Sequence, residues 1–199
     1  STPNELECKK LPTLRLVISI ADEKINGMMN FSELGIVGNT GKHDNVLQIG
    51  KQLDPDEAIN IQFTSGTTGL PKGATLSHFN IVNNAYFVGK AMKFSAIDRL
   101  CIPVPLYHCF GMVMGVLTCA THGATMVFPS EGFEPLATLK AVSDEKCTAL
   151  HGVPTMFVAN LEHPDFDKMD LSSLRTGIMA GAPCPVEVMK KVQQKMHMP

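Results

Sequence analysis

Phe63-Thr64-Ser65-Gly66-Thr67-Thr68-Gly69-Leu70-Pro71-Lys72-Gly73 is a run of hydroxyls and glycines that closes on one proline and one cation. Ahead of it, from Ala58, the chain alternates Ile59, Ile61 and Phe63 with Asn60 and Gln62, the period-two pattern of a half-buried strand. Behind it, Ser77 is placed to cap a helix running to Met92, with Ile81, Val82, Ala85 and Met92 near one face. Strand, glycine loop and helix in succession make a phosphate-site pattern. Glycines let backbone N–H groups approach, hydroxyls add donors, and Lys72 supplies a charge for the outer phosphates. The loop is not a Walker loop, because Lys72 follows Pro71 and precedes Gly73, and it lacks the G-x-G-x-x-G dinucleotide fingerprint. An ordinary polar loop has the same composition, so composition leaves both readings open.

The alternation continues outward. The pattern predicts strands at Leu100 to Val104, Ala124 to Phe128, Thr148 to Val153 and Thr176 to Ala180. Between them it predicts helices around Met112 to Thr121, Glu134 to Glu145 and Pro154 to Asn160, and a last one opened by Pro185. Strands separated by helix-length segments pair in parallel through right-handed crossovers, so the expected fold class is α/β with a parallel-rich sheet. Upstream, Leu14 to Ile20 reads as a short buried strand, and the Gly/Asn/Asp/Lys-rich stretch 35–56 as a surface connection. Residues 1–57 are thus expected to be peripheral, and 58–199 to carry the α/β unit.

Composition narrows the partners. The 199 residues are 44% apolar and 18% charged, typical of a soluble globular chain of one domain or at most two small ones. Seventeen basic against nineteen acidic residues, with no basic block longer than a pair, give no broad positive field for nucleic acid or an anionic membrane. Pro103, Pro105, His108 and His122 break the most apolar stretch, 100–128, so no transmembrane segment is expected. Six scattered cysteines without a C-x-x-C pair read as reduced, mostly buried thiols of an intracellular protein. Ser1 to Lys10 is polar and carries no signal-type apolar core, so no targeting segment is expected in this chain. No metal site is expected from the dispersed His and Cys, and neither H-E-x-x-H nor G-x-S-x-G occurs.

Two more segments draw notice. Pro105-Leu106-Tyr107-His108-Cys109-Phe110-Gly111-Met112 follows the strand at 100–104, at the end of an α/β sheet where ligands gather. Gly177-Ile178-Met179-Ala180-Gly181-Ala182-Pro183-Cys184-Pro185 is a strand entering a tight turn. Taken alone, a lone His after a strand and a Gly-Ala-Pro turn are more often structural than functional.

Together with the loop they carry a resemblance. Thr64 to Gly73 resembles, over ten positions, the phosphate loop of the adenylate-forming superfamily of acyl-CoA synthetases, luciferases and peptide-synthetase adenylation domains. The wording around His108 and from Arg175 to Gly181 is similar to medium- and long-chain fatty acyl-CoA synthetases, including the mitochondrial medium-chain type. The resemblance implies the large N-terminal domain of an acyl-CoA synthetase-like fold. It also implies ATP-dependent activation of a fatty acid to acyl-AMP, followed by transfer to CoA. ATP, Mg2+ and CoA are then the expected cofactors and co-substrates, and small molecules the expected partners.

By the same resemblance, Thr64, Ser65, Gly66, Thr67, Thr68, Gly69 and Lys72 hold the ATP phosphates, with His108, Lys72 and Thr67 counted as catalytic. His108 lies beside the substrate carboxylate, Phe110 borders the acyl pocket, and Gly181, Ala182 and Pro183 pack on adenine. Val153-Pro154-Thr155-Met156 also matches but reads as packing. Tyr-His-Cys-Phe stands where amino-acid-activating members usually carry an Asp, which argues for an acid without an amino group. The family's Tyr-Gly-x-Thr-Glu segment, ribose-binding Asp and catalytic Lys domain are absent, so the 199 residues are expected to hold half a site, truncated at the C-terminus and inactive alone. The mitochondrial matrix or the cytoplasm is the expected compartment. An aryl-CoA ligase, a luciferase-like enzyme and a non-catalytic nucleotide-binding domain remain the alternatives.

Overall fold

The computed structural model describes residues 7–38, 43–64 and 69–199. The chain divides into two compact units, 1–54 and 55–199.

In the first unit, β1 (Ile18–Ser19) pairs in parallel with β2 (Met29–Asn30). The strand expected over Leu14 to Ile20 is therefore only two residues long. A β-rich run becomes a strand only where a partner lies alongside, and Met29 and Asn30 offer two positions. Nor is it buried, since Ile18 and Ile20 are both exposed. Asn30 starts a capped 3₁₀ turn, Phe31–Glu33, its side chain accepting from the Ser32 N–H while Glu33 accepts from the Asn30 N–H. The stretch expected to be connection holds two helices, α1 (Leu34–Gly38) and α2 (His43–Gly50). Asp44 in the first turn of α2 favours that helix, whose Val46, Leu47 and Ile49 are exposed.

The second unit opens with β3 (Ala58–Thr64) and β4 (Lys72–Ser77), an antiparallel pair in which Phe63 faces Gly73 and Thr64 faces Lys72. The glycine loop thus joins two strands rather than a strand and a helix. Ala74 to Leu76 is too short to read as a strand in sequence, and pairing with β3 makes it one. The apolar face of β3 is also not half-buried: Ile59, Ile61 and Phe63 are 46%, 60% and 73% exposed. Among the described residues that face is left open.

α3 (His78–Ala91) starts at the expected cap. Ser77 Oγ accepts from the Asn80 N–H and Asn80 Oδ1 from the Ser77 N–H, a reciprocal capping box. Its buried face is Ile81, Ala85 and Gly89, spaced by four; Val82, expected on that face, points outward and is exposed.

β5 (Arg99–Cys101), β6 (Thr125–Val127), β7 (Ala149–Gly152) and β8 (Thr176–Met179) form an all-parallel sheet in the order β6-β5-β7-β8. A π-helical segment, Phe110–Leu117, and α4 (Thr118–His122) connect β5 to β6. α5 (Pro135–Asp144) connects β6 to β7, α6 (Pro154–Leu161) connects β7 to β8, and α7 (Val186–Met196) follows. Gly111 explains why the expected helix at 112–121 begins earlier and wider. A Cβ there would stand 2.3 Å from the Pro105 carbonyl oxygen, so only glycine lets the segment fold back against the strand exit.

Alternation along the strands builds two cores. Cys101, Leu150 and Met179 face α5, α6 and α7, packing with Leu139, Val142, Phe157, Val192 and Met196. Leu100, Ala149 and Ile178 face the other way, with Phe110, Met114 and Cys119. α3 covers the π-helical segment through Ile81, Ala85 and Val113. The six cysteines are free, with Cys101, Cys119 and Cys147 buried and Cys109 exposed. Burial pushes the Cys119 thiol up to about 12, with the nearby Asp98 charge adding to the shift, so it stays protonated.

Candidate active site

The strand order carries a consequence for chemistry. From β5 the chain goes to β6 on one side, then crosses to β7 on the other, so β5 and β7 flank the topological switch point. A crevice opens there, outside the carboxyl ends, because the following segments leave toward opposite faces. The chain from β5 leads to His108, the chain from β7 to Val153 and Pro154, and the chain from β8 to Gly181, Ala182 and Pro183. The candidate segments at His108 and Gly181 thus leave the same sheet end from β5 and β8, with β7 and the packing turn at Val153 between them.

His108 is exposed at the turn between β5 and the π-helical segment. Its N–H donates to the Pro105 carbonyl at 3.3 Å and its own carbonyl accepts from the Met112 N–H at 3.0 Å. Its Nδ1 accepts from the Phe110 N–H at 3.1 Å, which leaves the ring proton on Nε2 in the neutral form. Cys109 Sγ stands 3.7 Å from the same Nδ1. Phe110 is buried, its ring stacked on His151 at 5.5 Å, while Cys109, Val113 and Met114 line a groove.

That groove has a volume of about 450 Å³, and its other wall is Leu76 at the end of β4 with Asn80, Ile81 and Asn84 of α3. It joins the hairpin to the His108 segment. Lys72 lies four residues back along β4 from Leu76, roughly 13 Å along an extended strand. There it is paired with Thr64 across the ladder, so hydroxyl and cation face each other where the glycine loop leaves the hairpin. Both are exposed, as is Gly69 at the loop's far end. Ser65, Gly66, Thr67 and Thr68 lie outside the described residues.

At the third segment Gly181 has φ +87°, and a Cβ there would come within 3.2 Å of Val153 Cγ1. The turn therefore demands glycine twice over, by backbone and by space. Cys184 Sγ donates to the Met179 carbonyl at 3.2 Å and closes it. Sequence reasoning missed that role, and also missed His151, which no motif flags. Among the described residues, no cluster of three or more His, Cys, Asp or Glu is placed to hold a metal ion, and no helix is long and apolar enough to cross a membrane.

Residues 4–199 match the AMP-binding enzyme family, and the chain belongs to it. Among curated relatives, it is 47% identical over 198 residues to the mitochondrial medium-chain acyl-CoA ligase ACSF2 of Danio rerio, covering 98% of this chain and 32% of that one. It is 46% identical over 190 residues to the acyl-CoA ligase SID4 of Ajellomyces capsulatus, covering 96% and 32%. Among solved structures, the anthranilate CoA ligase AuaEII in complex with anthranoyl-AMP superposes with a TM-score of 0.79 at 23% identity, over 95% of this chain and 36% of that one. That likeness establishes the fold: an α/β sheet with helical crossovers, as the strand pattern predicted. The chain spans about a third of the length of the curated relatives it matches.

Proposed function

We propose that residues 1–199 work within a longer AMP-forming acid:CoA ligase, which converts a fatty acid to acyl-AMP and then to acyl-CoA, and that the 199 residues alone turn over little or nothing. The observation that carries this reading is the groove between the hairpin and the His108 segment. It puts an apolar trough between the far end of the strand that leaves the glycine loop and the segment that carries His108 past a sheet switch point, all on one unit.

The chemistry follows from the groups. A carboxylate oxygen attacks the α-phosphorus of ATP and forms the mixed anhydride, and pyrophosphate leaves with the bonding electron pair. Two anions must first be brought together. His108, with its proton on Nε2, donates to one carboxylate oxygen and orients the other for in-line attack. Thr64, Ser65, Gly66, Thr67, Thr68, Gly69 and Lys72 supply donors and one positive charge to the departing phosphates, where negative charge grows. Mg2+, when bound, supplies further charge neutralisation on the phosphates. The tight turn at Gly181, Ala182 and Pro183 brings backbone close enough to lie against adenine. In the second half, the CoA thiolate attacks the acyl carbonyl carbon and AMP leaves.

The groove favours an acid with an apolar chain, since Leu76, Ile81, Val113 and Met114 form most of its wall. Phe110 is buried beside the exposed His108 and Cys109 and does not itself line the groove. Free thiols suit a reducing compartment, the mitochondrial matrix or the cytoplasm. Acid-dependent ATP–pyrophosphate exchange by the full-length protein, run over a panel of straight-chain and aromatic acids, tests the reading. Exchange is expected with medium- and long-chain fatty acids, and exchange with none of the panel contradicts it.

A further inference from the structure

Among the described residues His151 is the one imidazole in the sheet's interior, and nothing in the reaction so far uses it. It sits on β7 one residue before the strand's end, beside β5 at the switch point, with no solvent exposure. Its neighbours on that face are apolar, and a histidine is a costly choice among them unless its nitrogens do something leucine cannot. Nε2 donates to the Met114 carbonyl at 3.0 Å, and the ring stacks on Phe110 at 5.5 Å with 30° between planes. Nδ1 has no hydrogen-bond partner. Burial lowers its pKa to about 4, against the opposing pull of the Met114 and Leu150 backbone, so the ring is neutral over the working range.

Both contacts fall on the same piece of chain. Phe110 and Met114 are the first and fifth residues of the π-helical segment, one turn of it. Phe110 is also the residue whose N–H holds His108 Nδ1, and Met114 lines the acyl groove. A π-helical turn closes i→i+5 bonds and is held by its surroundings more than by its own preference.

We infer that His151 is a positioning residue for acyl-AMP formation: from the rigid end of β7 it fixes the first π-helical turn, and through the Phe110 amide it aims the Nε2–H of His108 at the substrate carboxylate. The inference rests on the role proposed above for His108.

The test is a double-mutant cycle in the full-length protein, read as acid-dependent ATP–pyrophosphate exchange with kcat and KM for the acid, alongside Tm. His151→Leu removes the donor and ring but leaves an apolar side chain where the core is apolar, and it deletes the unpaired Nδ1. It is expected to keep Tm and lose about ten- to a hundredfold in kcat/KM for the acid. His151→Gln, whose amide keeps a donor toward Met114, is expected to recover most of that loss. In a His108→Ala background, His151→Leu is expected to cost almost nothing more, because the group it aims is gone. The inference is overturned by His151→Leu activity within twofold of wild type, by a loss that multiplies undiminished with that of His108→Ala, or by a loss that tracks a fall in Tm and is not recovered by Gln. If His108→Ala itself leaves exchange unchanged, the earlier assignment of His108 fails, and this inference falls with it.

Discussion

The two ends of the parallel sheet are built from opposite materials. At the amino end, Asp98, Thr148 and Arg175 each stand one residue before a strand, on β5, β7 and β8 respectively. Asp98 is 2% exposed, yet both its oxygens are satisfied. One accepts from Thr148 Oγ1 at 2.7 Å and Arg175 Nε at 3.0 Å, the other from the Ser95 N–H at 2.9 Å and Arg175 Nη2 at 2.8 Å. The remaining guanidinium N–H groups cap the carbonyls of Met92 and Lys93 after α3. At the carboxyl end there is no such clamp among the described residues, only tight turns, an exposed imidazole and glycines with close neighbours, the Pro105 carbonyl at Gly111 and the Val153 side chain at Gly181. A closed polar network fixes strand register, whereas a site must leave its donors free for a ligand. On the function proposed above, stability lies at one end and chemistry at the other.

The largest expected effect lies on the chemical side. Lys72→Ala should lower acid-dependent ATP–pyrophosphate exchange by about a hundred- to a thousandfold, the usual loss of one aimed donor at growing charge. Calorimetry should find Tm unchanged, since Lys72 is exposed and makes no ion pair among the described residues. The mirror experiment is Arg175→Met, which leaves Asp98 buried without its counter-charge. Urea unfolding should report a loss of about 3 kcal/mol, while kcat per folded molecule stays as it was. A fall in kcat with no loss of stability would break the division between the ends.

A smaller effect is expected at Gly181→Ala, where φ +87° and the approach to Val153 both oppose a side chain. About 1–2 kcal/mol of stability should go, together with a severalfold rise in KM for ATP and little change in KM for the acid.

The smallest effect is confined to acid. Burial pushes the Asp98 carboxyl up, but the bonds from Arg175, Thr148 and Ser95 and the guanidinium charge outweigh it, so the net shift is downward. A carboxyl whose folded pKa lies below its unfolded one stabilises the fold above the unfolded value, about 3.9. That stability is lost as pH falls through the folded value. Stability against pH should therefore bend downward below about pH 4, and Asp98→Asn should flatten that limb while lowering the plateau.

The parallel sheet was legible because its strands announce themselves. Leu100 to Val104 and Thr148 to Val153 are short apolar runs between helix-length segments, and four of the four expected downstream strands are present. The capping box at Ser77 was legible for a similar reason, being purely local. β4 was not, because Ala74 to Leu76 has no strand signal until β3 lies beside it. The outward face of β3 was misread for the same cause: alternation reports two unlike faces, and what covers the apolar one is a tertiary matter. Of the site, the loop and the segments at His108 and Gly181 were readable as motifs. Convergence of the His108 and Gly181 segments at one sheet end needed the strand order, and His151 needed its neighbours, since its meaning lies in Phe110 and Met114 rather than in its own surroundings in sequence.

The central claim is that the loop from Thr64 to Gly73 grips the triphosphate of ATP. A crystal structure of the full-length protein with a non-hydrolysable ATP analogue tests it most directly. The account predicts β- and γ-phosphate oxygens within hydrogen-bond distance of the loop's amides and hydroxyls and of Lys72 Nζ. A nucleotide bound elsewhere on an intact molecule, with the loop empty, would contradict it.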